Sequence, residues 1–112
     1  MYSEHLILFA AIACKFNEIS NILEIGTYDG VTSSILSKLF PNSKIITLDL
    51  EDDNDLFKNI YDRNDIKKRN LFIQDRNKRI AQCNNIEFKQ LNSLNLTLGF
   101  ENNCKFDFIW ID

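Results

Sequence analysis

Cysteine and histidine are scarce in this chain of 112 residues, and their positions exclude two common kinds of site. Cys14, Cys83 and Cys104 lie far apart, and His5 is the single histidine. Without a Cys-x-x-Cys pair, the sequence indicates neither a zinc site nor a disulfide framework, and no metal is predicted. Thiols without a pairing pattern are typical of a reducing compartment, which favours a cytoplasmic protein.

Long apolar runs and an excess of one charge are also missing. The longest apolar run, residues 6–14, is too short to span a bilayer, and no lysine or arginine precedes it. We therefore expect neither a membrane span nor an export signal. The net charge of −3 gives no general attraction to nucleic acid. Basic clusters at 67–69 and 76–79 are interleaved with acids, which is typical of a solvated helix face.

The order of apolar segments predicts a single α/β domain. Strands are expected at 21–25, 44–48, 86–91 and 106–111, and helices at 3–17, 31–40, 54–61 and 64–83. A short connection, 93–103, would join the last two strands. Strands that alternate with helices favour an open parallel sheet, here with an N-terminal helix in residues 1–20 and βαβ units in 21–112.

Hydrophobic spacing also predicts which faces are buried. The first helix is apolar on nearly every side, so we expect it to be buried against the sheet. In helix 31–40, Thr32, Ser33, Ser37 and Lys38 are expected on the side away from the core. In the last strand, Phe106 is expected to share a face with Phe108 and Trp110.

Glycine, acidic or amide residues follow every predicted strand, at the edge where parallel sheets bind ligands. In strand order they are Gly26 to Gly30, Asp49 with Leu50, Asn92 with Ser93, and Asp112. Their coincidence predicts a ligand site. The helix after Gly30 would present its N-terminus to a carboxylate or a phosphate. Asp49, 23 positions beyond Gly26, could bind two ribose hydroxyls.

Simpler interpretations of the same residues stay open. The glycines could form a tight turn without a ligand, and Asp49 could face solvent. The amide of Asn92 could pair with an adenine edge or form an Asx turn with Ser93.

Four segments together resemble the motifs of class I S-adenosylmethionine-dependent methyltransferases. Leu-Glu-Ile-Gly-Thr-Tyr-Asp-Gly at 23–30 is similar to their first motif, and Thr-Leu-Asp at 47–49 to their acidic strand end. Residues 86–93 resemble the segment that frames adenine, and 106–112 the fourth strand motif. The resemblance implies a Rossmann-like αβα fold with S-adenosyl-L-methionine as cofactor.

The resemblance also implies roles for individual residues. Those expected around the methionine part of the cofactor are Glu24, which would hold its amino group through backbone or water, Gly26, Thr27, Tyr28, Asp29 and Gly30. Those expected around the ribose and adenine are Asp49, Leu50, Asn92 and Ser93. Asp112 is the one candidate for a catalytic role, as a metal ligand or as an acid that orients the methyl acceptor.

The resemblance covers the N-terminal, cofactor-binding half of such an enzyme, truncated after about four strands. We expect methyl transfer to an unidentified acceptor, with activity of the 112 residues left open. The fourth strand would be an exposed apolar edge and a candidate surface for a homodimer. The alternatives are a non-catalytic nucleotide-binding or interaction module, and a fragment of an NAD-dependent oxidoreductase. The latter is disfavoured because Tyr28 stands where the dinucleotide motif has its second glycine.

Overall fold

A four-stranded parallel sheet forms the centre of the protein, described by a computed structural model for residues 2–98, 100 and 103–112. The helices are α1 (Ser3–Lys15), α2 (Val31–Leu39), α3 (Asp55–Lys58) and α4 (Ile66–Ala81). The strands are β1 (Asn21–Ile25), β2 (Lys44–Asp49), β3 (Ile86–Gln90) and β4 (Phe108–Ile111). Their order across the sheet is β3-β2-β1-β4, and every neighbouring pair is parallel. The predicted α/β sheet is therefore confirmed.

Helices and a short crossover cover the two faces of the sheet. On one face, Phe9 of α1 and Leu36 of α2 pack against Ile22 and Ile45 of the central strands. The opposite face is covered by the 3₁₀ helix Ser93–Leu98 and the aromatic residues that follow it. Part of the predicted connection 93–103 lies outside the described residues. This arrangement is a Rossmann-like open sheet, with β1 and β2 at its buried centre.

Helix α2 turns its small hydroxyl residues toward the sheet, which the apolar pattern did not predict. Thr32, Ser33 and Ser37 are buried, with at most 8% of each residue exposed. The prediction was wrong for these three residues, and for Ser33 and Ser37 the reason is that their hydroxyl groups find acceptors inside the protein. Ser33 donates to Glu24, and Ser37 donates to Asn85. Small side chains also let the helix lie close to the strands.

Two further predictions of burial were wrong. Phe9 is the buried residue of α1, while Ile7 is 70% exposed, because only one side of this helix meets the sheet. Phe106 packs with Leu23 on the face opposite Phe108. It precedes the first residue of β4, so the alternation of a strand does not apply to it.

Gly30 lies where α2 begins, and both its backbone and its surroundings require glycine. Its φ angle is 77°, a left-handed conformation that other residues rarely adopt. A Cβ atom there would lie 3.2 Å from Cγ1 of Ile80 on α4. The missing side chain therefore allows α4 to pack over the start of α2.

We predict that Gly30→Ala lowers the free energy of unfolding by roughly 1–3 kcal/mol, because it adds left-handed strain and crowding against α4. Urea denaturation measures this change. Lys38→Ala, an exposed change on the same helix, should shift stability by less than about 0.5 kcal/mol. Equal stability of the two variants would contradict the packing role of Gly30.

Candidate functional site

A small cleft opens at the carboxyl ends of β1, β2 and β3. Its volume is about 120 Å³, and its walls are Ile25, Gly26, Leu48, Asp49, Leu50, Leu91 and Ser93. Four residues predicted from sequence to bind a cofactor are thus brought together here. The cleft is smaller than the few hundred Å³ of a typical small-molecule pocket, so it fits only part of a ligand.

The turn after β1 and the carboxylate of Asp49 are bonded to each other. Oδ2 of Asp49 accepts a hydrogen bond of 2.7 Å from the backbone N–H of Tyr28, and Oδ1 accepts one of 2.8 Å from Leu50. The N–H groups of Gly26 and Thr27 both donate to the carbonyl of Leu48. Each carboxylate oxygen keeps a further lone pair that a ligand hydroxyl could use.

Glu24 is fully buried behind this turn, between β1, β2 and α2. Its Oε2 accepts hydrogen bonds from the hydroxyls of Ser33 and Thr47. Thr47 in turn pairs with Thr27 at 2.7 Å. The other oxygen, Oε1, is buried without a protein partner among the described residues. An unpaired buried carboxyl oxygen is costly, so this atom is a candidate acceptor for a ligand donor or a water.

Burial raises the pKa of Glu24 to about 7, because the charged form loses its hydration. The hydrogen bonds from Ser33 and Thr47 oppose this rise, whereas the negative charges of Asp112 and Asp49 add to it. The charges of two other carboxyl groups at this edge of the sheet therefore act on Glu24. Such a concentration of acid favours a ligand that carries positive charge.

Several predicted loop residues serve the protein's own structure. Thr27 is 2% exposed, and its hydroxyl points inward to Thr47. Asp29 caps α2, because its Oδ1 accepts a bond of 3.0 Å from the N–H of Val31. Tyr28 is 45% exposed, so its ring lies at the surface beside the cleft. Its φ angle of 49° puts its backbone in the left-handed region.

The remaining candidates differ in how close they come to the cleft. Oδ1 of Asn92 accepts a hydrogen bond of 3.0 Å from the backbone N–H of Leu94. The side-chain amide therefore forms an Asx turn next to Ser93. Asp112 is exposed. If Gly26 carried a Cβ atom, that atom would lie 3.0 Å from the backbone carbonyl oxygen of Asp112. It therefore sits beside the turn after β1.

Arg63, which the sequence pattern did not indicate, lies next to the ring of Tyr28. It is 6% exposed, and its guanidinium carbon lies 4.0 Å from the ring centre of Phe57 and 5.0 Å from that of Phe72. The ring of Tyr28 contacts that of Phe72 at 5.3 Å. The sequence does contain a signal for this cluster, because Arg63 lies between the aromatic residues Phe57, Tyr61 and Phe72. These contacts hold the ring of Tyr28, whose backbone N–H donates to Asp49.

Arg76 is another exception to the expected solvated helix face. It is 1% exposed and binds both oxygens of Asp52, at 2.9 and 3.1 Å. Its guanidinium also lies 4.6 Å from the ring centre of Phe88. Arg79, from the same cluster, donates to the carbonyl of Asp29. These arginines attach α4 to the sheet and to the first loop, so part of the basic cluster is structural.

The fold matches that of solved methyltransferases. The O-methyltransferase TomG from Streptomyces achromogenes, solved in complex with SAM, aligns with 100% of this chain and 44% of its own, with TM-score 0.66 and 20% identity. An O-methyltransferase from Bacillus cereus, in complex with SAH, aligns with 100% of this chain and 45% of its own, with TM-score 0.60 and 21% identity.

A third structure gives the same result. SAH-bound methyltransferase PaMTH1 from Podospora anserina aligns with 100% of this chain and 42% of its own, with TM-score 0.65 and 17% identity. The chain thus spans less than half the length of these three proteins. At such identities the likeness establishes the fold. No family model matches the sequence, and no curated protein matches it.

Within the described part of the chain, no group of three or more histidine, cysteine or acidic side chains is arranged to hold a metal ion. No helix of the described residues has the length and apolar character needed to cross a membrane.

We predict that stability falls as the pH rises from 6 to 8, because Glu24 holds a proton in the folded state that its unfolded form, with a pKa near 4.5, has already lost. The expected loss is roughly 1.4 kcal/mol, measured by urea denaturation at both pH values. Glu24→Gln should remove this loss, whereas Glu51→Gln, an exposed change, should retain it. Identical slopes in wild type and Glu24→Gln would refute the assignment.

Proposed function

We propose that the protein binds S-adenosyl-L-methionine at the cleft between the turn after β1 and Asp49, and transfers its methyl group to an acceptor. The observation that carries the proposal is that Gly26 and Asp49 line the same cleft, with the carboxylate fixed by the N–H of Tyr28. The solved proteins of this fold in complex with SAM or SAH support it.

The residues of the cleft suit this cofactor chemically. Asp49 would accept hydrogen bonds from the ribose hydroxyls, and Leu50 and Leu91 would contact the adenine ring. Asn92 and Ser93 would lie at the adenine edge. The ribose and adenine would occupy the cleft, and the methionine part would extend over the turn at 26–30.

The acidic surroundings of the turn favour this cofactor over a dinucleotide. S-adenosylmethionine carries a sulfonium and an ammonium group, and it would supply an activated methyl group. The carboxyl groups of Asp49 and Asp112, whose charges act on Glu24 at this edge, would attract those cations. The pyrophosphate of NAD would meet the same carboxyl groups and be repelled.

Catalysis would depend mainly on holding cofactor and acceptor in line. Asp112 lies beside Gly26, where a side chain could orient an acceptor, and we propose it for that role. Because the chain spans less than half the length of its solved neighbours, binding and turnover are separate experiments. A non-catalytic binding module would show the first without the second.

We predict that Asp49→Ala weakens binding of S-adenosylhomocysteine by roughly 1–3 kcal/mol, about 5- to 150-fold in Kd, because hydrogen bonds to a charged group are lost. Isothermal titration calorimetry measures the change. Asp53→Ala replaces an exposed acid of the same loop and should leave Kd within about twofold.

Two results would overturn parts of this proposal. Binding of NAD without binding of S-adenosylhomocysteine would assign the cleft to a dinucleotide. Unchanged affinity in folded Asp49→Ala would remove Asp49 from the site. Since Asp49 also holds the loop, circular dichroism must first establish that the variant folds. Asp49→Asn, which keeps an acceptor oxygen but loses the charge, should fall between wild type and Asp49→Ala.

A further inference from the structure

Three buried side-chain atoms in the described part of the chain have no hydrogen-bond partner. They are Oε1 of Glu24, Nε1 of Trp110 and Nδ1 of His5. Buried polar groups are nearly always hydrogen-bonded, because each unpaired one costs free energy. Unpaired atoms that lie close together can be satisfied by one shared group, so the relative positions of these three residues decide what the site can hold.

Trp110 lies directly beside Glu24 on the sheet. The register of β1 with β4 pairs these two residues, and neighbouring strands lie about 4.8 Å apart. Both side chains are on the face covered by α1 and α2, because Glu24 bonds to Ser33 of α2 and Trp110 packs against Phe9 of α1. A residue with an unpaired donor is therefore next to a residue with an unpaired acceptor.

His5 reaches Trp110 from α1. The centres of the two rings are 4.8 Å apart, in an edge-to-face arrangement. His5 and Phe9 are four positions apart, so they share one side of the helix and both contact Trp110. We call Glu24, Trp110 and His5 the polar row. It lies beneath the turn of the candidate site, because Glu24 precedes Gly26 by two residues.

The three unpaired atoms match the hydrogen-bonding capacity of a water molecule. No two of them bond to each other. Neighbouring polar groups beyond direct hydrogen-bond reach are commonly bridged by water. A water can accept from the indole N–H and donate to Oε1, and also to Nδ1 of a neutral imidazole. These are the three bonds that a buried water typically makes. An ammonium group, which only donates, would leave the indole N–H unpaired.

We propose that the polar row binds one buried water molecule, and that Trp110 and His5 act through it as positioning residues for Glu24. The water gives Oε1 a donor, in addition to the hydroxyls of Ser33 and Thr47 on Oε2. Donors to a carboxylate favour its charged form. Helix α1 thus influences the ionisation of the acid beneath the candidate cofactor site.

Other titratable groups surround the polar row. Asp49, at the end of β2, and Asp112, after β4, oppose the ionisation of Glu24 through their negative charge. Helix α2 faces Glu24 with the hydroxyl of Ser33. Beside His5 lie the exposed Glu4 and the ring of Tyr2, at 5.6 Å. Substitution of His5 or Trp110 leaves all of these groups in place, so its effect on Glu24 reports the row itself.

NMR tests for the water directly. Trp110 is the single tryptophan, so its indole N–H gives one signal in ¹⁵N-labelled protein. We expect this proton to show NOE and ROE signals to water of opposite sign, which marks a water that stays bound while the protein tumbles. His5→Phe keeps a ring but removes Nδ1, and should lose this signal, because a water with two partners exchanges faster. Tyr2→Phe, at an exposed neighbour of His5, is the matched control and should retain it.

The ionisation of Glu24 gives a second measurement. The ¹³C signal of its carboxyl carbon, assigned by comparison with Glu24→Gln, reports its pKa, expected at about 7 in the wild type. Trp110→Phe removes the indole donor and should move the midpoint of this titration upward by about 0.5 pH or more. Phe108→Leu changes an apolar residue of the same strand and face, and should leave the midpoint in place.

Absence of the long-lived water signal in the wild type would overturn the proposal. Its persistence in His5→Phe would do the same, since a signal relayed through the hydroxyls of Ser33 or Thr47 would survive that change. An unchanged midpoint in folded Trp110→Phe would also contradict it. Circular dichroism establishes folding, and if this variant does not fold, the two water measurements decide. No cofactor is added, so the outcome is independent of the proposed function.

Discussion

The carboxylate of Asp49 joins the ends of the two central strands, and the candidate site depends on this interaction. It accepts the N–H groups of Tyr28 and Leu50, so the turn after β1 is held against the end of β2. This turn also places Gly30 against α4, at the position where α2 begins. One acid therefore contributes to loop geometry as well as to any ligand contact.

Behind the turn, the protein holds a second acid in a different environment. Glu24 lies in a small network of hydroxyl groups from Ser33, Thr47 and Thr27, and burial makes its neutral form accessible near neutral pH. Asp49 meets backbone donors at the half-exposed rim, whereas Glu24 is enclosed. Two carboxyl groups close to one turn thus have separate tasks because their surroundings differ.

Strand positions and the cleft could be predicted from sequence because apolar runs and strand-end residues are local signals. The sheet places Gly26, Asp49, Leu50 and Ser93 around one cleft, as expected. Burial of polar groups could not be predicted in the same way. Hydrophobic periodicity assigns hydroxyl and guanidinium groups to solvent, whereas Ser33 and Arg76 are buried by partners distant in sequence.

The ion pair of Arg76 with Asp52 has a consequence for how the acidic stretch 51–53 can change in evolution. The guanidinium is enclosed, and Asp52 neutralises it through both oxygens. A neutral residue at position 52 would leave a buried cation without its counter-ion, at a cost of several kcal/mol. Glu51 and Asp53 are exposed, so substitution at either position would leave no buried charge unpaired. The three acids look equivalent in the sequence, but we expect purifying selection to retain Asp52 in particular.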